Sequence, residues 1–150
     1  MTTKAAAPRE GTSAAHVGRY FRRYGWTAER VDETTFRASF RGKSAAFVTL
    51  VRVTEHWVVF TINPLLRAPP MGFGPTTLRA LALANHTSNL VKLGIDDDGD
   101  AFIIVELPSE GFGYAHFASA VGALSHAADA LIVPLLQARV IDERNGVTAS

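Results

Sequence analysis

Apolar and polar residues alternate with a period of two between positions 26 and 63, a pattern typical of β-strands. Four strands joined by short turns are predicted at 26–32, 35–41, 44–53 and 57–63. In the second strand Phe36 and Phe40 alternate with arginines, so one face of the sheet should contact water. The third and fourth strands are apolar on both faces, and a helix or another subunit must cover the second face. We therefore expect a homodimer whose contacts include Val48, Leu50, Val58 and Phe60.

Two stretches outside this region show the period of 3.6 residues that amphipathic helices have. The first runs from a cap at Thr12 or Ser13 to a stop at Gly25. The second begins at Pro75, a residue favoured in the first turn of a helix, and its predicted inner face consists of Leu78, Leu81, Ala82 and Asn85. Because a buried amide must pair its donors and its acceptor, we predict that Asn85 hydrogen-bonds the neighbouring backbone as a structural residue.

The second helix leads into a β-hairpin and a last helix. Strands at 91–95 and 101–107 flank a turn at 96–100, whose aspartates and Gly99 tolerate left-handed backbone angles. The last helix begins near Tyr114, and Pro134 should kink or end it before a short continuation to residue 141. The predicted order is α-β-β-β-β-α-β-β-α, an α+β fold in which helices pack on an antiparallel sheet.

The composition indicates one soluble domain. The chain has 150 residues, of which 47% are hydrophobic and 19% charged, enough for an ordinary core without metals or disulfides. We expect a disordered leader at 1–12, a single domain at 13–141 and a frayed tail at 142–150. The N-terminus lacks the apolar segment of a signal peptide, no stretch approaches the roughly 18 apolar residues of a membrane helix, and cysteine is absent. These features predict a cytoplasmic protein with no membrane partner.

No catalytic residue, cofactor or metal site is predicted. The acidic turn with Asp96, Asp98 and Asp100 lacks the glycine and glutamate of a calcium loop, because Ala101 and Leu107 stand at those positions. A solvated hairpin turn is therefore favoured over a weak cation site. The five histidines lack the spacing of a zinc protease helix, and neither a nucleophile elbow nor a phosphate-binding glycine loop is present.

Two surfaces are candidates for binding a partner. The stretch 63–74 reads as a proline-rich loop, and it is either an adaptable binding edge or a lid packed on the core. Its candidate contacts are Leu65, Leu66, Met71 and Phe73. The first helix exposes Arg19, Arg22 and Arg23. It belongs to a basic half of the chain, because residues 1–67 contain 11 Lys/Arg and only 5 Asp/Glu. These arginines either contact an acidic partner or form an ordinary solvated face.

Three short stretches carry a resemblance to a known family: Leu83-Ala84-Asn85, residues 92–100 (KLGIDDDGD) and residues 105–108 (VELP). Together with the order of elements, they make residues 13–136 similar to the YbjN family, whose fold is similar to that of type III secretion chaperones. Such chaperones are small proteins that typically dimerise and bind other proteins. The resemblance therefore implies a non-enzymatic, homodimeric, chaperone-like adaptor. Some relatives are associated with stress responses or with partners that handle single-stranded DNA, so it also suggests a single-stranded-DNA-binding or DNA-repair protein as the partner.

A function from a different class, direct nucleic-acid binding, is the alternative. It would use the basic residues Arg19, Arg22, Arg23, Arg37, Arg41 and Lys43. Affinity that depends on such contacts falls steeply as the salt concentration rises. An enzyme ranks third, because the constellations that catalysis requires are missing.

Overall fold

The helices and strands follow one another in the order predicted from the sequence. The computed structural model describes residues 11–148. Within that range the elements are α1 (Ala14–Tyr24), β1 (Ala28–Arg30), β2 (Thr35–Arg41), β3 (Ala46–Val53), β4 (Trp57–Leu66), α2 (Pro75–Thr87), β5 (Lys92–Ile95), β6 (Ala101–Pro108) and α3 (Tyr114–Thr148). The predicted α+β architecture with an antiparallel sheet is confirmed.

The six strands form one antiparallel sheet in the order β1-β2-β3-β4-β6-β5. Alternate side chains along each strand lie on opposite faces, which we call the inner and the outer face. The inner face is lined by buried side chains, among them Phe36, Val51, Phe60 and Val105. The outer face carries a row of paired residues across four strands, consisting of Arg37, Leu50, Thr61 and Ile104.

Helices α1 and α3 cover the inner face through aromatic side chains. The rings of Phe21 in α1 and Phe117 in α3 have centroids 4.9 Å apart, and Phe60 in β4 lies 5.7 Å from Phe117. All three side chains are at most 1% exposed. Ser13 caps α1 by accepting the His16 N–H, and Gly25 ends the helix at φ 90°, so both predicted boundaries are confirmed.

Helix α3 does not end at Pro134, as one reading of the sequence expected. It continues to Thr148, so most of the tail predicted to fray is helical. Leu124 and Leu135, on either side of the proline, are each 1% exposed, which shows that both halves pack on the core. Residues Tyr114–Gly146 are long and apolar enough to cross a membrane by composition alone, with a hydropathy of 1.5, although no such segment was expected. Because the buried side chains of α3 belong to the core of this domain, we interpret it as the core helix of a soluble fold.

Other boundaries also differ from the prediction. Strand β1 has only 3 residues, although the pattern predicted a strand over 26–32. Strand β4 continues through Pro64 to Leu66, so the loop that was expected from residue 63 begins at Arg67. Residues 1–10 of the predicted leader lie outside the described residues, whereas Gly11 pairs with Glu110 and the Thr12 N–H donates to Ser109 Oγ at 2.7 Å.

Candidate protein-binding surfaces

The outer face of the sheet keeps apolar side chains partly exposed. Trp57 of β4 is 47% exposed and Val48 of β3 is 48% exposed. On the same face Leu50 follows Val48 along β3, Val59 follows Trp57 along β4, and Ile104 of β6 pairs with Thr61, and all three apolar residues are half-buried. Partly exposed apolar residues on one face of a sheet offer area that can contact another protein, and here Arg52 and Glu106 flank Val59 among them.

The four residues predicted to form a dimer contact lie on different faces. Val48 and Leu50 are on the outer face, where a second chain can reach them. Val58 and Phe60 are 0% exposed on the inner face, in the core that α1 and α3 cover. The prediction therefore has to be corrected for Val58 and Phe60, because the strand pattern alone did not show which face the helices cover.

Strands β3 and β4 are paired over only part of their length. The ladder between them runs from Leu50, opposite Thr61, to Val53, opposite Val58. Residues Ala46–Thr49 continue β3 and pair with β2 on the other side. On the side of β4, this half of β3 has no ladder partner among the described residues. We call the resulting opening the β3–β4 gap.

The gap follows from a change of register in β4. Between Ile62 and Leu66 the pairing of β4 with β6 shifts, so the second half of β4 stays with β6 and leaves β3. Pro64 lies in this segment and has no N–H to offer to a neighbouring strand. A cleft of about 660 Å³ opens here, lined by Ala46, Phe47, Val48, Leu65 and Ile132, with Arg37 at its outer rim.

The loop after β4 and the last turns of α3 line a second cleft, of about 690 Å³. Met71, one of the predicted contacts, is 96% exposed there, and Phe73 lines the cleft while half-buried. Leu65 and Leu66 are 7% and 4% exposed within β4, so they are not part of the loop surface to which they were assigned. The loop prediction failed for these two residues because a strand that contains a proline gives a weak sequence signal.

Asp142 of α3 joins this region to the start of α2. Its Oδ1 accepts the Thr76 N–H at 2.9 Å, and its Oδ2 accepts the Thr77 N–H at 2.8 Å and the Thr77 hydroxyl at 2.7 Å. Burial raises the pKa of the Asp142 carboxyl, but these hydrogen bonds outweigh burial and hold the pKa below its ordinary value. Since Gly74 at the N-cap of α2 has no side chain, Asp142 supplies the cap from another helix.

The six basic residues proposed for nucleic-acid binding do not form one surface. Arg19, Arg22 and Arg23 are exposed on α1, which packs on the inner face of the sheet. The Arg23 guanidinium lies 3.9 Å from the centroid of the Tyr114 ring. Arg37 and Arg41 are on β2 with their side chains on the outer face, and Lys43 follows in the next turn. A single stretch of phosphate backbone would therefore have to pass around the edge of the sheet to meet all six.

Asn85 makes the backbone contacts that the sequence predicted. Its Nδ2 donates to the Leu93 carbonyl at 2.9 Å, and its Oδ1 accepts the Leu93 N–H at 2.7 Å. However, Asn85 is exposed, as are Leu78 and Ala82. The buried residues of α2 are Thr77, Leu81 and Ala84, so the predicted face was wrong by part of a turn. Thr77 occupies an inner position because Asp142 satisfies its hydroxyl.

The acidic turn is organised by bonds to the backbone. Asp96 Oδ1 accepts the N–H groups of Asp98 and Asp100, both at 3.0 Å, and Asp100 Oδ1 accepts the Ala68 N–H at 2.8 Å. Gly99 has φ 86°, which glycine adopts without strain. Between residues 11 and 148, no three side chains of His, Cys, Asp or Glu come together as a metal site would require.

Comparison with known proteins identifies the family. Residues 13–136 match the model of YbjN proteins, described as "Putative bacterial sensory transduction regulator". The chain belongs to the YbjN family. The match covers α1 to the middle of α3, and it leaves the last turns of α3, including Asp142, outside. No curated protein sequence matches the chain.

Solved structures similar to this YbjN protein include a type III secretion chaperone, a chaperone–effector complex and a complex from a type III secretion system. One is the ExoU–SpcU complex of Pseudomonas aeruginosa, at 19% identity and a TM-score of 0.57, covering 78% of this chain and 94% of the other. Another is the Yersinia pestis chaperone SycH with a fragment of YscM2, at 14% identity and a TM-score of 0.55, covering 80% and 99%. A third is the HopA1–SchA chaperone–effector complex, also at 14% identity and 0.55, covering 79% and 91%. At these identities the similarity shows a common fold, and the predicted chaperone-like architecture is thereby confirmed.

Proposed function

We propose that this YbjN protein is a non-enzymatic, chaperone-like adaptor that binds other proteins and acts as a homodimer. The observation that carries the proposal is the partly exposed apolar outer face, on a fold that resembles protein-binding chaperones. Trp57 and Val48 are about half exposed on β-strands, and a second copy that packed on this face would remove both from water. A contact between two identical faces related by a twofold axis is the commonest form of protein dimer.

The partner of the adaptor is, in this proposal, a segment of another protein in a stress or DNA-repair context, such as a single-stranded-DNA-binding protein. The support is the family resemblance together with the location of exposed Arg19, Arg22 and Arg23 on one helix, which suits an acidic segment. Direct nucleic-acid binding is the weaker candidate, because the basic residues are divided between the solvent side of α1 and the outer face of the sheet.

Light scattering of the purified protein tests the dimer. At micromolar concentration the mass should be about twice the chain mass of 16.2 kDa. Trp57→Lys should shift the protein towards the monomer, because it places a charge in the apolar outer face. Leu78→Lys is the matched control, since Leu78 is 46% exposed on α2 and lies away from that face. A monomeric native protein would refute the homodimer, and a dimer broken by Leu78→Lys but not by Trp57→Lys would place the interface on α2.

A further inference from the structure

The β3–β4 gap presents backbone groups that have no partner in the sheet, and the two flanking ladders identify them. In an antiparallel pair, residues that exchange hydrogen bonds alternate with residues that do not. At one end of the pairing between β2 and β3, the Val53 N–H donates to the Thr34 carbonyl. At the other end, the Gly42 N–H donates to the Ala45 carbonyl. Val53 and Ala45 are an even number of positions apart along β3, so Phe47 and Thr49 between them also direct their backbone groups to β2.

The even-numbered residues of β3 must therefore direct their N–H and C=O groups to the side of β4. This assignment agrees with the second ladder, where the Thr54 N–H donates to the Trp57 carbonyl and Leu50 lies opposite Thr61. From Leu50 onwards these groups meet β4. Ala46 and Val48 precede that point, so their backbone groups point into the gap. Two N–H donors and two C=O acceptors are thus aligned along one open strand edge.

We infer that the β3–β4 gap binds an extended peptide segment of a partner protein, which adds to the free edge of β3. An extended chain is the ligand that satisfies donors and acceptors spaced along a strand, and strand addition of this kind is a common mode of peptide recognition. The four unpaired residues 46–49 span about 13 Å at roughly 3.3 Å per residue, which suits a segment of about four to five residues. This inference rests on the proposed protein-binding function and identifies the β3–β4 gap as the binding site for the partner.

The lining of the gap indicates the side chains that such a segment carries. Phe47, Leu65 and Ile132 form an apolar wall on the inner side. Successive side chains of an extended peptide point to opposite sides, so every second residue should be apolar and should face this wall. Arg37 lies at the outer rim, where an acidic residue of the peptide would meet a positive charge. The fitting ligand is an extended segment in which apolar residues alternate with polar or acidic ones.

Amide hydrogen exchange followed by NMR tests the geometry in the free protein. The N–H groups of Ala46 and Val48 should exchange at least about tenfold faster than those of Phe47 and Thr49, which bond β2. The probe for binding is a random nine-residue peptide library displayed on phage, from which the most enriched peptide is synthesised. Its binding should slow exchange at Ala46 and Val48 at least about tenfold. Equal protection of all four amides in the free protein would show that the edge is closed and would overturn the inference.

Proline substitution separates the backbone edge from the side chains. Val48→Pro removes the N–H that points into the gap without removing a bond to β2, and it should weaken binding of the selected peptide at least about tenfold. Val48→Thr keeps the N–H and the branched side chain, and it should bind within about twofold of the native protein. Ala46→Pro, at the first residue of β3, is a second variant in case Val48→Pro does not fold.

The outcomes distinguish this inference from the proposed function. Peptide binding that protects amides elsewhere, or that survives both proline variants, would refute the gap as the site while leaving protein binding intact. A library that yields no binding peptide would refute both the site and the proposed recognition of protein segments.

Discussion

The contact of Asp142 with the start of α2 makes a prediction that can be worked out from the structure. Replacing Asp142 with alanine removes three hydrogen bonds, two from backbone N–H groups and one from the Thr77 hydroxyl. Loss of a helix cap costs about 0.5–2 kcal/mol, and a buried hydroxyl left without a partner costs about 1–3 kcal/mol. Thr77 is 0% exposed in the native protein, so its hydroxyl depends on the Asp142 carboxylate for an acceptor.

We expect Asp142→Ala to lower the free energy of unfolding by about 2–3 kcal/mol. The figure lies below the sum of the upper limits because Asp142 is only half-buried, and water can reach part of the vacated position. Urea unfolding monitored by circular dichroism measures the change. The slope of the unfolding free energy against urea concentration should be the same in the variant and in the native protein. Glu143→Ala is the matched control. Glu143 is exposed, and its Oε1 lies 3.7 Å from Arg139 Nε, too far for a hydrogen bond, so its loss should cost no more than about 0.5 kcal/mol.

The same contact predicts a dependence on pH. Because the folded pKa of Asp142 is held below its ordinary value of 3.8, its contribution to stability is present above that pH and is lost as the pH falls through the folded pKa. The difference in stability between the native protein and Asp142→Ala should therefore shrink below about pH 4. If Asp142→Ala costs no more than Glu143→Ala, or if the difference does not change with pH, then Asp142 does not cap α2 and this reasoning is wrong.

Two further predictions concern residues that were singled out in the sequence. Asn85→Ala should lower the free energy of unfolding by about 1–2 kcal/mol, because two hydrogen bonds to Leu93 are lost, and exchange of the Leu93 N–H should accelerate. Unchanged stability together with lost partner binding would instead make Asn85 a binding residue. Labelled single-stranded or duplex DNA should bind no tighter than about 10⁻⁴ to 10⁻⁶ M at ~0.15 M salt, the range of non-specific contact. Nanomolar binding that survives raised salt, and that is lost in Arg37→Ala, would restore the nucleic-acid alternative.

The sequence predicted best those elements whose two faces differ. The bounds of β2 were predicted to the residue, because its apolar residues face the helices and its arginines face water. The inner face of α2 was predicted poorly, because hydrophobicity favoured Leu78 and Ala82 while the structure buries Thr77. Thr77 is buried because a carboxylate 65 residues further along the chain accepts a hydrogen bond from its hydroxyl. No local pattern contains that partner.

The β3–β4 gap could not be predicted from the sequence for a similar reason. Residues 44–53 read as one apolar strand, and the pattern does not show where its neighbour turns away. The departure depends on a shift in the pairing of β4 with β6, whose paired residues lie about 40 positions later in the chain. Pro64 is visible in the sequence, but it predicted a loop rather than a strand that changes register. Pairing between distant segments determines this site, and periodicity within one segment does not report it.

The outer face and the gap both involve β3, but the outer face presents its side chains and the gap presents its backbone groups, which point in perpendicular directions. The side chain of Val48 points away from the sheet on the outer face, where the proposed second copy would pack, whereas its N–H and C=O lie in the plane of the sheet and point towards β4. A dimer formed through the outer face would therefore cover the Val48 side chain and leave its backbone groups free to pair with a peptide. Each dimer would carry two gaps, and a partner with two suitable segments would bind the second from a high effective concentration. Dimerisation would then strengthen the binding of such a partner without adding any contact to it.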